Sequence, residues 1–187
     1  MLDGLTGLVL KFTVLIYSLA IVFGIYLVVS SFINLNKLAD TQSQMSQQEV
    51  TGPSLITKVL FGTLLVVSNI VAVATAISLG ASESTVVDPV NYLNYSTVTD
   101  GVDTNKQLIV FIKAVSRFIG AVAITSGLKY GADMMHPIEN IRKTARYRLV
   151  WGVFASVFFL FPELLPAGLQ HIFPQLEDIV ELLRSVP

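Results

Sequence analysis

The chain has no cysteine. That excludes disulfides, thiolate metal sites and a cysteine nucleophile. Histidine is almost as scarce: His136 and His171 are the only two, far apart in sequence, so a histidine-built metal cluster is not expected. Charge is thin as well. Only 13% of the 187 residues are Asp, Glu, Lys or Arg, against about 25% in an average soluble domain. No paired acids, Ser/His pair or metal set stands in plausible register for chemistry inside a membrane. The chain is therefore expected not to be an enzyme, and neither metal nor cofactor is expected beyond a bound phospholipid. What fills the space is apolar: 53% of residues are hydrophobic and the mean hydropathy is +0.69. That composition implies an integral membrane protein of all-α class, folded as a single helical domain over residues 1–187.

Four apolar stretches read as transmembrane or membrane-length helices, the fourth of them short. The first covers about residues 5–33. Its apolar core exceeds that of a signal peptide and nothing basic precedes Lys11, so a retained helix is expected rather than a cleaved leader. The second covers about 55–80, started by Gly52 and Pro53, since proline suits a first helical turn. The third covers about 108–132. The fourth, about 149–165, is interrupted by Pro162 and Pro166. Its uninterrupted part, thirteen residues from Leu149, reaches only ~20 Å against a hydrocarbon core of ~30 Å. A tail at about 174–186 has Leu176, Ile179, Val180 and Leu183 at helical spacing opposite Glu177, Asp178, Glu181 and Arg184. This reads as an amphipathic helix lying on a membrane or a neighbouring subunit. The segments 34–53 and 81–106 read as polar loops, the second acidic.

Orientation follows from the basic residues. The elbow HPIENIRKTARYR carries Arg142, Lys143, Arg146 and Arg148 between the third and fourth spans. With Lys37, Lys58 and Lys129 it outweighs Lys11, Lys106 and Arg184 on the other side. Short loops rich in Lys and Arg stay in the cytoplasm, so both termini are expected outside.

Two sets of residues are singled out. The first is cationic. Lys113 and Arg117 share one face of the third span, and Arg117 lies deep, where a charge costs at least about 2.5–3.5 kcal/mol. A lipid phosphate, an acid on a neighbouring helix or water in a lumen must compensate, and Glu163 is the acid at suitable depth. Together with Arg142, Lys143, Arg146 and Arg148 these two are expected to contact lipid or a lumen. The second set is small. Ala72, Ala76 and Gly80 step by four along the second span, as do Ala123, Gly127 and Gly131 along the third. Small faces let membrane helices approach closely, so these are expected to be packing faces. Asn69 lies mid-span and reads as an interhelical hydrogen bond before a ligand contact. Asn94, Tyr95 and Ser96 match a glycosylation sequon, a pattern common by chance.

The stretch FIKAVSRFIGAVAITSGLKYGADMM, residues 111–135, resembles a segment of the small inner-membrane proteins of type IVB secretion and IncI-type conjugation systems, the IcmC/DotE and TraQ group. The resemblance covers that stretch and the general layout: a short, multi-span, cysteine-free chain with a charged helix leading to a glycine-spaced run and a basic bend. The fourth span departs from the group's usual glycine-rich end. The C-terminal half is also similar in plan to conjugative pilins, two apolar helices joined by a basic loop with both ends outside. Ser78, Leu79, Gly80 and Ala81 offer small residues where a leader would be cut. The resemblance implies a structural part in a conjugation or secretion apparatus, as a pilus subunit or an inner-membrane assembly component. Its implied partners are membrane lipid, further copies of itself, other apparatus subunits and single-stranded DNA passing a basic lumen. A small transporter or channel subunit, with Asn69, Lys113, Arg117 and Glu163 along its path, is the alternative.

Overall fold

A computed structural model describes residues 2–40, 51–78, 104–162, 164–169, 173 and 180. Every regular element among them is helical. In order they are α1 (Leu2–Asp40), α2 (Gly52–Val66), α3 (Ser68–Ser78), α4 (Thr104–Gly131), α5 (Glu139–Leu160) and α6 (Leu164–Leu169). Two stretches are long and apolar enough to cross a membrane, Gly4–Asn36 in α1 and Gln107–Gly131 in α4. α2 is apolar but has 15 residues, about 22 Å of helix.

α1 is apolar on all sides, and its inner face is marked by small and hydroxyl residues. Thr6, Thr13, Tyr17, Ala20, Gly24 and Ser31 are buried. The hydroxyls of Thr6, Thr13 and Ser31 donate to the carbonyls of Leu2, Val9 and Leu27 at 3.0, 3.0 and 2.7 Å. These three hydroxyls are thus satisfied within their own helix, as a medium without water requires. The outer face carries Leu8, Phe12, Leu15, Leu19, Val22 and Val29, all exposed. A soluble protein rarely leaves a contiguous apolar face of this size open.

Two expected boundaries differ. The span 55–80 is broken: α2 ends at Val66, and Val67 has φ −104° and ψ 24° before α3 begins at Ser68. The sequence there is Val66, Val67, Ser68, Asn69. Two β-branched residues are followed by two whose side chains compete for backbone groups, a combination that weakens a helix. The span 149–165 is also redrawn. α5 starts at Glu139, so the basic elbow is its first three turns, and it ends at Leu160, before Pro162. Pro162 has no N–H to donate and ends the helix, after which Leu164 N–H bonds to the Phe161 carbonyl at 3.0 Å. The acidic segment 79–103, Glu163 and the tail 174–186 other than Val180 lie outside the described residues, as do Gly80 and the sequon. Val180 is helical and buried.

The chain divides into two compact units. Unit 1 is Met1–Ile16, Asn69–Val122 and Ala155–Pro187; unit 2 is Tyr17–Ser68 and Ala123–Phe154. In unit 1, α4 packs on the end of α5: Ser116 Oγ donates to the Phe159 carbonyl at 2.8 Å, and a Cβ on Gly120 would lie 2.7 Å from the Leu160 nitrogen. In unit 2, α1 crosses α2 where Gly24 meets Gly62. A Cβ on Gly24 would stand 2.5 Å from the Gly62 carbonyl oxygen. α4 meets α5 at Gly127 and Gly152, where a Cβ on Gly152 would lie 2.7 Å from the Gly127 Cα. Only a missing side chain allows such backbone approach. The Phe61 ring covers Gly131, and Thr57 Oγ1 donates to the Ala132 carbonyl at 3.3 Å, tying the start of α2 to the end of α4.

Candidate functional site

The six expected cationic contacts divide into two environments. Lys113 and Arg117 are one helical turn apart on α4, and both are on its inner face in unit 1, 4% and 6% exposed. Ala114, Gly120, Ala121 and Ile124 continue that buried face. Neither cation is without a partner. Burying an unpaired cation would be prohibitive, so a packed helix tolerates one only where its charge is compensated. Glu163, the acid expected at this depth, lies outside the described residues.

Arg142, Lys143, Arg146 and Arg148 belong to the first turns of α5 in unit 2. Lys143, Arg146 and Arg148 are exposed and Arg142 is half-buried. Ala145 is the one fully buried residue of this segment. Ile138 and Ile141 are exposed. The elbow itself is a tight turn. Ala132, Asp133 and Met134 N–H groups bond to the carbonyls of Lys129, Tyr130 and Gly131, and His136 Nδ1 accepts from the Ile138 N–H at 3.2 Å. Pro137 follows, and α5 begins with the Arg142 N–H to Ile138 carbonyl bond at 3.1 Å.

The four elbow cations are not equivalent. Arg148 lies over the Tyr130 ring, its guanidinium carbon 4.4 Å from the centroid, and Nη1 donates to the Tyr130 hydroxyl. It is held by packing. Lys143 pairs with Glu139 one turn back at 2.8 Å on an exposed surface, an arrangement worth about 0.3–0.5 kcal/mol in a helix. Lys129, at the end of α4, lies 5.1 Å from the Phe23 ring centroid. The aromatic partners of Lys129 and Arg148 had no signal in the sequence, because each pair joins residues from different helices.

Of the small residues, Gly127 and Gly131 are at close helix contacts and Ala72 is buried. Ala123 is half-buried, and its carbonyl is 2.9 Å from where a Cβ on Gly152 would stand. Gly24, Gly62 and Gly152 make closer contacts than Gly127 does and were missed. Each stands alone in its run, without the repeated four-residue step that points to Gly127 and Gly131. Among the described residues no group of three or more His, Asp or Glu side chains is placed to hold a metal ion. No protein-family model, curated protein or solved structure matches the chain.

Proposed function

We propose that this chain is a non-enzymatic structural subunit of a type IV secretion or conjugation apparatus in the bacterial inner membrane. It would serve as a pilus subunit or as an inner-membrane assembly component, associating with copies of itself and with other subunits. The observation that carries the reading is the division of its cations. Lys113 and Arg117 are enclosed in a helix long enough to span a membrane, while Lys143 and Arg146 stand open at a hairpin bend. The resemblance of residues 111–135 to the IcmC/DotE and TraQ group names the apparatus. Close glycine contacts between helices suit a part whose work is packing. The reading includes four membrane-associated segments with both termini in the periplasm, and a basic elbow facing lipid head groups or a lumen. Electron microscopy of sheared extracellular material, with mass spectrometry of its main protein, tests it. The chain in filaments makes it a pilus subunit; the chain confined to the inner membrane with apparatus proteins co-purifying makes it an assembly component. Wild-type transfer by an Arg117→Leu strain, or co-purification with no apparatus protein, counts against both.

A small transporter or channel subunit is the second reading. The break at Val67, beside the buried Ser68, favours it, because interrupted helices line substrate paths in many transporters. Selective solute or ion flux in liposomes holding the purified chain decides for this reading.

A further inference from the structure

Along α5, unit 2 presents an ordered series of side chains. Arg142, Lys143 and Arg146 come first. Tyr147 follows, 66% exposed, then Val150, Trp151 and Phe154 at 64%, 53% and 55%. Lys143, Tyr147, Trp151 and Phe154 succeed one another by four, four and three residues, so they form one stripe on the helix. The rings touch in series. Tyr147 and Trp151 have centroids 6.0 Å apart; Trp151 and Phe154 meet edge to face at 5.9 Å. Over about 17 Å of helix the stripe passes from cationic, through aromatic groups with a polar tip, to wholly apolar. A bilayer leaflet has that same order over that depth: phosphate, glycerol and carbonyl, acyl chain. A water-filled lumen does not suit it, because Val150 and Phe154 would then face water.

We propose that this stripe is a contact for anionic phospholipid. Arg142 and Arg146, one turn apart, take the head-group phosphates, with Lys143 shared between lipid and Glu139. Tyr147, Val150 and Trp151 lie at the carbonyl level, and Phe154 among the acyl chains. The inference rests on the membrane reading above and chooses lipid over lumen for the elbow. Arg148 has a different task, since its guanidinium is held against Tyr130.

Trp151 is the only tryptophan, so the native fluorescence of the full chain reports this stripe. The chain is reconstituted in phosphatidylcholine vesicles containing brominated phosphatidylcholine or brominated phosphatidylglycerol at equal mole fraction. Shallow bromines are expected to quench Trp151 more than deep ones. Brominated phosphatidylglycerol is expected to quench at least about twofold more than brominated phosphatidylcholine, given the attraction of basic side chains to anionic lipid. That preference is expected to vanish in the Arg142→Gln/Arg146→Gln variant and to persist in Lys11→Gln. Quenching by aqueous acrylamide without quenching by lipid bromine overturns the inference in favour of a lumen. Quenching by neither overturns it in favour of a protein-covered face, and equal quenching by the two lipids removes the anionic preference. Carbonate extraction of the same vesicles separates the failures. A chain that resists extraction yet fails the quenching test loses only this inference; a chain that is stripped from the vesicles loses the membrane reading too.

Discussion

Unit 1 holds five Lys and Arg against nine Asp and Glu; unit 2 holds seven against four. In the acidic unit two cations, Lys113 and Arg117, are buried. In the basic unit Lys129, Lys143, Arg146 and Arg148 are exposed, and Lys58 and Arg142 are half-buried. The comparison teaches that residue type does not set a cation's role here. An enclosed cation needs its charge compensated by the groups packed around it, whereas an exposed one keeps head groups or water as its surroundings.

The sharpest way to break this contrast is at Arg117. Replacing it with Leu removes a guanidinium that is 6% exposed and has a partner, and losing a buried polar contact costs about 1–3 kcal/mol or more where charge is involved. Arg117→Leu is expected to insert in the membrane but to unfold early in a denaturing-detergent titration. Arg146→Gln in unit 2 is expected to match the parent. Equal behaviour of the two variants would remove the distinction between enclosed and open cations.

A second comparison concerns glycines. Gly152 in unit 2 has no room for a Cβ, whereas Gly7 in unit 1 meets nothing within 4 Å. Gly152→Ala is expected to destabilise by about 1–3 kcal/mol through overpacking. Gly7→Ala is expected to be neutral or to stabilise by up to about 1 kcal/mol through helix propensity. Thermal melts of the two purified variants measure the difference. A stable Gly152→Ala protein would show that α4 and α5 can separate without penalty.

Smaller effects separate the elbow cations from each other. Arg148→Gln gives up the stack on Tyr130 and is expected to lower stability by about 0.5–1 kcal/mol. Lys143→Gln loses only an exposed pair with Glu139, about 0.5 kcal/mol or less, and raised salt should erase that loss. Melting each variant at low and high salt ranks them. A salt-sensitive Arg148 effect would mean that charge, rather than stacking on the ring, holds that side chain.

Much of the helical layout was legible. Gly52 and Pro53 begin α2 as their chemistry requires, and Pro162 lies just beyond α5. The apolar runs of α1 and α4 start within one residue of their expected starts at 5 and 108. The break at Val67 is not legible from hydropathy, because Ser68 and Asn69 are only two polar residues inside an otherwise apolar run. The helix of the basic elbow is legible in Pro137, which can open a helix, but not in hydropathy. Its charges hide the helix from a hydropathy argument, although Arg142 and Arg146 keep a helical step.

The sequence by itself determined that the chain is helical, that it is rich in membrane-compatible segments, and that positive charge gathers between α4 and α5. These follow from composition, period and order along the chain, which need no partner to take effect. Only the tertiary structure decided which cations are enclosed, which glycines touch backbone and which arginine stacks on a ring. Burial and close approach are properties of two helices together. Lys113 and Lys143 are the same residue, and the neighbours that bury one and leave the other open come from helices distant in sequence.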